Sequence, residues 1–147
     1  MDNVLPTILI DTREQLPYSF PGYPVERCKL DTADYTVKGF ESQIMIERKS
    51  LTDLLGCIFT ERFHKQLDRM RTCQVAQLVI EANLYKIQNA HWYKGNSKSV
   101  LGMLQVLPIR YGVYPMFLDN REEAERYTLG TLTKFHKEML KGVVQTQ

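Results

Sequence analysis

Apolar and polar positions along the chain follow two periods, one of short strands and one of helices. Residues 7–10, after Pro6 and ending at Asp11, form an apolar run that predicts a buried strand. The PYSFPGYP stretch that follows, with Pro17, Pro21, Gly22 and Pro24, predicts an irregular loop. Further strands are predicted over residues 25–30, 35–37 and 43–47, the last running into Arg48, Lys49 and Ser50. The period then changes: Leu51, Leu54, Leu55 and Ile58 recur at the i, i+3, i+4, i+7 spacing of a helix, with Ser50 placed as its N-cap. A second helix is predicted over 61–72, with Phe63, Leu67 and Met70 inward and Arg62, Lys65, Arg69 and Arg71 outward, followed by a buried strand over 76–81. Ser97 or Ser99 can cap a helix through Leu101, Leu104 and Leu107 that Pro108 and Gly112 disturb near its end. A strand over 113–118 and a helix over 120–142 complete the chain, with Glu122 and Glu123 in the helix's first turn and Lys134, Lys137 and Lys141 toward its end, as the helix dipole favours. Strands first, then alternating helices and strands, indicate an α/β fold layered around a central mixed sheet.

Composition narrows the class. The 147 residues, 44% hydrophobic and 24% charged, suit one globular domain, and no internal repeat or Gly/Ser linker divides them, so a single domain over 1–147 is expected. No run approaches the roughly 18 apolar residues of a membrane span, and the start, MDNVLPTILIDTREQ, lacks the basic and then apolar regions of a signal peptide; a soluble, non-exported protein with no membrane partner is expected. Cys28, Cys57 and Cys73 form no CxxC pair, which points to reduced thiols, and His64, His91 and His136 are too scattered for a zinc site. Any metal should therefore be bound by oxygen.

Net charge is +2, but its distribution is uneven. Residues 1–60 carry more acids than bases, whereas 82–118 contain no acid and four bases, Lys86, Lys94, Lys98 and Arg110. Within that stretch YKIQNAHWYKGNSK interleaves Tyr85, His91, Trp92 and Tyr93 with lysines, a composition suited to phosphates and exposed bases as well as to a solvated loop anchored by its aromatics.

Candidate chemistry concentrates in Asp34, Glu47 and Lys49. Residues two apart on a strand share a face, so Glu47 and Lys49 project together while Arg48 points away. Asp34, from a neighbouring strand, would add a second carboxylate, and two carboxylates suit a hard divalent cation such as Mg²⁺. The lysine ammonium would orient or help deprotonate an attacking water, or neutralise charge on a scissile phosphate. The spacing by itself fits a solvated strand end better than a site.

The surrounding motifs add context. Asp11, Arg13 and Glu14 form D-x-R-E; Asp34 and Tyr35 form the D-Y of a G-D-Y motif; Glu47, Arg48, Lys49 and Asp53 form E-R-K-x-x-x-D; Arg62, Phe63 and Gln66 fall in a following R-F-x-x-Q. In order and spacing this resembles the nuclease domain of the XPF family of structure-specific endonucleases, over about residues 7–117. Ala33 departs from the family's glycine. The helix–hairpin–helix domain that usually follows in the family has no counterpart in these residues, so a stand-alone form is expected.

The resemblance implies a restriction-endonuclease-like core in which Asp34 and Glu47 hold Mg²⁺ or Mn²⁺, Lys49 assists the water and the Arg48 carbonyl completes the metal shell. Asp11 is open between metal ligand and loop cap. Arg48 would pair with Asp11, Glu14 or Asp53, and Asp53 would also serve as the acid at N3 of a capping box begun by Ser50. Arg13, Arg62, Lys65, Gln66, Lys94 and Lys98 are assigned to DNA. Tyr127, Leu132, Phe135 and Met139 are expected to be core, any exposed part serving as a dimer face. The expected function is a metal-dependent endonuclease acting on branched, flap or fork DNA in repair or recombination, alone as a homodimer or with a separate DNA-binding partner. The alternatives are a non-catalytic DNA-binding or partner subunit, although such members typically lose the acids kept here, and a junction-resolving or restriction-type nuclease of the same fold. The absence of a nuclear targeting cluster points to the cytoplasm or nucleoid of a prokaryote, or to a phage or viral source.

Overall fold

A computed structural model describes residues 4–142. Six strands and five helices follow in the order β1 (Ile8–Asp11), β2 (Val25–Cys28), β3 (Tyr35–Val37), β4 (Ile44–Lys49), α1 (Leu51–Cys57), α2 (Glu61–Arg69), β5 (Val75–Ile80), α3 (Leu84–Gln88), α4 (Ser97–Tyr111), β6 (Tyr114–Phe117) and α5 (Arg121–Leu140). The strands form one mixed sheet, β2-β1-β3-β4-β5-β6. Only β3 runs against its neighbours, pairing antiparallel with β1 and β4, while β1 with β2, β4 with β5 and β5 with β6 are parallel. The carboxyl ends of the other five strands therefore emerge at one edge, together with the start of β3.

Period-two alternation distributes the side chains. Ile8, Ile10, Tyr35, Val37, Ile44, Ile46 and Val79 join Leu132 and Phe135 of α5 in one core layer. Leu78 and Ile80 face the other way, into a layer with Leu54, Phe63, Leu67, Leu104 and Leu107 from α1, α2 and α4. By the same alternation Asp11, Asp34, Glu47 and Lys49 share the α1/α2/α4 face at the carboxyl edge, and Arg48 falls on the α5 face. Of the α5 stripe, Leu132 and Phe135 are core, Met139 packs on it, and Tyr127 is exposed.

Two expectations need correction. The basic stretch is not all loop: Asn83 accepts the Lys86 amide at 2.8 Å and starts α3, a helix too short to show periodicity. The cap of α4 is Asn96, whose side chain accepts the Ser99 amide, in place of Ser97 or Ser99. Pro108 lies inside α4 without ending it; Gly112, at φ +67°, closes the helix with its amide donating to the Pro108 carbonyl. Among the described residues no helix is long and apolar enough to cross a membrane, and the three cysteines are unpaired.

His64 fastens α2 to its neighbours. Its Nε2 lies 2.8 Å from the Ile58 carbonyl, which only accepts, so Nε2 carries the proton and Nδ1 accepts from the Tyr111 hydroxyl at 2.7 Å. Replacing Tyr111 by Phe leaves that lone pair without a donor; the expected cost is about 1 kcal/mol of unfolding free energy, measured by urea titration. An unchanged stability would mean that His64 does not anchor α2.

Candidate active site

A polar cleft of about 300 Å³ opens at the carboxyl edge, lined by Asp11, Arg13, Asp31, Asp34, Glu47, Lys49, Arg62, Gln66 and Arg69 among others. A larger hollow, about 520 Å³, between residues 4–6 and α5, contains no Asp or Glu. The cleft is built from three strand ends and one helix.

Strand β3 pairs with β4 only at Tyr35 and Ile46, so the Arg48 amide, two residues further on, has no strand partner on that side. The Asp34 carboxylate takes its place, accepting that amide at 2.8 Å. Asp34 is thereby held against Glu47, whose carboxyl accepts from Gln66 Nε2 at 2.7 Å and lies 3.6 Å from Lys49 Nζ. Burial pushes the Asp34 carboxyl up to about 6, aided by the charge of Glu14 and outweighing the Arg48 amide bond. Burial and then repulsion from Asp34 raise Glu47 well above the carboxylate range. Burial opposes the Lys49 charge, but Glu47, together with Cys57, Asp34 and Asp53, outweighs burial and holds Lys49 above its ordinary value, so Lys49 is an ammonium. It also lies 5.4 Å from the Phe63 ring centroid.

Asp11 borders the same cleft with both oxygens engaged. Oδ2 accepts from Arg13 Nε at 2.7 Å and from the Arg13 amide; Oδ1 accepts from the Leu30 amide at 2.8 Å. Burial alone would raise its pKa, yet these donors hold it below the usual carboxylate range. Asp11 therefore ties the loop after β1 to the end of β2, which is the capping alternative of the sequence. Arg13, bound to Asp11 and to the Leu30 carbonyl, is half of that tie.

Arg48 sends its side chain through to the α5 face. Its Nε donates to Glu81 at 2.7 Å, Nη1 reaches Glu14 at 3.3 Å, and the guanidinium lies 4.9 Å from the Tyr18 ring centroid. Of the three expected partners, Glu14 alone is engaged. Glu81, Tyr18 and Arg121 complete the network: Arg121 donates to the Leu16 carbonyl and stacks on Tyr18, and the Tyr35 hydroxyl donates to Glu14 at 2.8 Å. Asp53 lies outside the cleft, its amide donating to Ser50 Oγ at 3.2 Å while its side chain borders a neighbouring hollow with Glu14 and Arg48.

From α2 the cleft receives Arg62, Gln66 and Arg69, the last 3.3 Å from Thr32 Oγ1. Lys65 is outside it, exposed and paired with Glu61 at 3.0 Å. Lys94 and Lys98 are exposed on the α3–α4 segment and do not line the cleft.

A family model described as the ERCC4 domain matches residues 10–130. The chain belongs to the ERCC4 domain family. No curated protein matches it by sequence. Among solved structures it is similar to XPF from Aeropyrum pernix, with a TM-score of 0.74 at 20% identity over 94% of this chain and 68% of that one. It is likewise similar to XPF from Aeropyrum pernix in complex with DNA, with a TM-score of 0.72 at 20% identity over 91% and 66% of the two chains. The chain thus spans about two thirds of these structures' length, and the mixed sheet with flanking helices is the restriction-endonuclease-like fold they share.

This ERCC4 domain places Ala33 at φ +68°, the left-handed region that favours glycine, immediately before Asp34. Strain of about 1 kcal/mol is offset there by burial of the methyl group and by a less flexible unfolded chain. Ala33→Gly is accordingly expected to change stability by less than about 1 kcal/mol, whereas Ala76→Gly, in strand β5 and equally buried, loses about 1–2 kcal/mol. Denaturant titration of the two variants checks this; equal losses would show that the Ala33 turn is unstrained.

The raised acids of the ERCC4 domain bind more protons folded than unfolded, so in chelator its stability falls as pH rises from the ordinary carboxylate range through about 6 and beyond. Glu47→Gln, which keeps an acceptor for Gln66, should flatten that decline. Melting temperatures across roughly pH 5–8 give the answer, and a parent whose stability is flat or rises in that window would show that the two acids do not repel.

Proposed function

We propose that this chain is a divalent-cation-dependent DNA endonuclease that hydrolyses phosphodiester bonds, leaving a 5′-phosphate and a 3′-hydroxyl. One observation carries the proposal: a buried carboxylate, Glu47, a half-buried one, Asp34, and an ammonium share a cleft at the carboxyl edge of an ERCC4-domain sheet. The DNA complex of the similar Aeropyrum pernix XPF agrees with a nucleic-acid substrate.

The donor set fits Mg²⁺ or Mn²⁺. Among the described residues no group of three His, Cys, Asp or Glu could hold a metal by itself, and a hard cation that takes two carboxylates and fills its other positions with water and phosphate oxygens needs no third. Asp34 and Glu47 would hold it, and the burial that disfavours their charges, with the repulsion of Asp34 on Glu47, is what a cation would relieve. When bound, the ion supplies neutralisation of phosphate charge and acidifies water.

The protein's own groups do the rest. Gln66 fixes the Glu47 carboxyl from the α2 side. Lys49, charged and close to Glu47, acts as an electrostatic partner for the developing phosphate charge; with its pKa raised it is a donor in place of a base. Arg62 and Arg69 stand at the mouth to receive flanking phosphates, and Asp11 and Arg13 hold the facing loop. Branched, flap or fork DNA in repair or recombination is the substrate class favoured by the family resemblance. Dimerisation through the exposed side of α5 or a separate DNA-binding partner would extend the grip on it.

Labelled flap, fork and duplex DNA incubated with purified protein and Mg²⁺ or Mn²⁺ provides the test. Asp34→Ala, Glu47→Ala and Lys49→Ala are each expected to slow cleavage about 100-fold or more, and chelator to abolish it. Parental cutting by Asp34→Ala and Glu47→Ala would rule out the proposal.

A further inference from the structure

Trp92 is the single tryptophan of the chain, and 56% of its surface is exposed. A large aromatic ring left in water forfeits the burial that usually justifies it, so its surroundings matter. Strand β5 runs straight into the Asn83 cap of α3, and the α3–α4 segment leads into the amino end of α4. Because β5 is parallel to β4, with Lys49 opposite Ile80, this segment leaves the sheet at the edge that carries the cleft. Helix α4 covers the same face as α1 and α2. Trp92 therefore belongs to the same edge and the same face as Asp34, Glu47 and Lys49.

The loop is also pinned. Ala90 is buried, and the Tyr93 amide donates to the Ala90 carbonyl at 2.9 Å. Tyr93 packs against the core, and its ring lies so close over Gly95 that a Cβ there would collide with it. Asn89 donates to the Tyr85 carbonyl at 2.9 Å, and Asn96 caps α4. Trp92 is thus held out from a fixed backbone, which lowers the ordering cost of binding. Lys94 and Lys98 follow it in sequence, exposed and without ion pairs among the described residues, in a stretch with no acid from 82 to 118.

We infer that Trp92 is a stacking platform for an unpaired base in a single-stranded arm of the DNA, with Lys94 and Lys98 holding the adjoining phosphates. The inference rests on the DNA nuclease reading and adds the part of the substrate that the cleft does not select. Duplex DNA keeps its base faces stacked and offers Trp92 nothing; a single strand offers a face at every base, whatever the sequence.

Trp92 reports on itself. In chelator, a labelled oligothymidylate of about 15 nucleotides and a duplex of the same length are titrated against the whole protein, with binding followed by label anisotropy and stacking by tryptophan emission. Emission is expected to fall with the single strand and to stay constant with the duplex. Trp92→Ala should weaken single-strand binding about 5- to 150-fold with less than about a 2-fold effect on duplex, and Trp92→Phe should recover most of the loss. Lys94→Ala with Lys98→Ala should lower the salt slope for the single strand by about 1.4. Constant emission at saturating single strand, or parental binding by Trp92→Ala, overturns the inference. Flap cleavage with Mg²⁺, run in parallel, separates the two claims: cutting with a silent Trp92 refutes the platform alone, whereas neither binding nor cutting refutes the nuclease reading with it.

Discussion

The site depends on one unpaired backbone amide. Strand β3 stops pairing with β4 too early to serve the Arg48 N–H, and that donor, in a nearly buried sheet, must find an acceptor. The Asp34 carboxylate supplies it at 2.8 Å. A side chain that replaces a strand is held almost as firmly as the strand would be, and this firmness brings a second carboxylate against Glu47 where free side chains would separate. The acidic pair follows from the end of a ladder.

The pair is costly to the fold. Two acids whose charged forms are both disfavoured by burial, that of Asp34 further by Glu14 and that of Glu47 further by Asp34, subtract from stability at neutral pH. Compensation lies directly behind them, on the opposite face of the sheet. Alternation along β4 sends Arg48 to that side between Glu47 and Lys49, and there Glu81, Glu14, the Tyr18 ring and two loop carbonyls surround it. The same residue thus presents its amide to the site and its guanidinium to the network that fixes the loop after β1. Tyr35, next to Asp34, binds Glu14 in that network, so the residue that follows each acid in sequence is anchored on the far face. Strand alternation joins a strained front to a satisfied back.

Local pattern made much of this legible. Period two around Glu47 and Lys49 placed both on one face, the helix spacing of Leu51, Leu54, Leu55 and Ile58 located α1, and Ser50 caps the helix it was expected to cap. What the pattern missed depends on distant parts of the chain. Arg48 meets Glu81 and Tyr18 because β5 and the post-β1 loop converge on β4, a juxtaposition no local spacing encodes; the unused signal was Glu81, an acid ending an otherwise apolar strand. Lys65 and Gln66 were equivalent by helical spacing, and only the approach of α2 to the β4 edge turned Gln66 inward and left Lys65 with Glu61. The Asp11 carboxylate meets the Leu30 amide only because β1–β2 pairing brings the two close, a contact no local spacing encodes.

Charge in the cleft is layered, and the layering constrains what can enter. Asp11 and Arg13 neutralise each other at the side. The floor is Asp34 and Glu47 with one ammonium, Lys49; the rim is Arg62 and Arg69 on α2. Under the proposed function a phosphodiester would be drawn by the rim and repelled by the floor until something positive sits between the acids and the phosphate. A second lysine or arginine at the floor would do this permanently, binding the backbone without discrimination. Under the proposed function two acids would instead make entry conditional on a cation, and Gln66, which donates a hydrogen bond to Glu47 and adds no charge, would orient the acid without weakening that condition. A neutral amide at the α2 position that touches an acid of the cleft, with arginines one turn to either side, is the arrangement that the proposed entry of phosphate and cation together would call for.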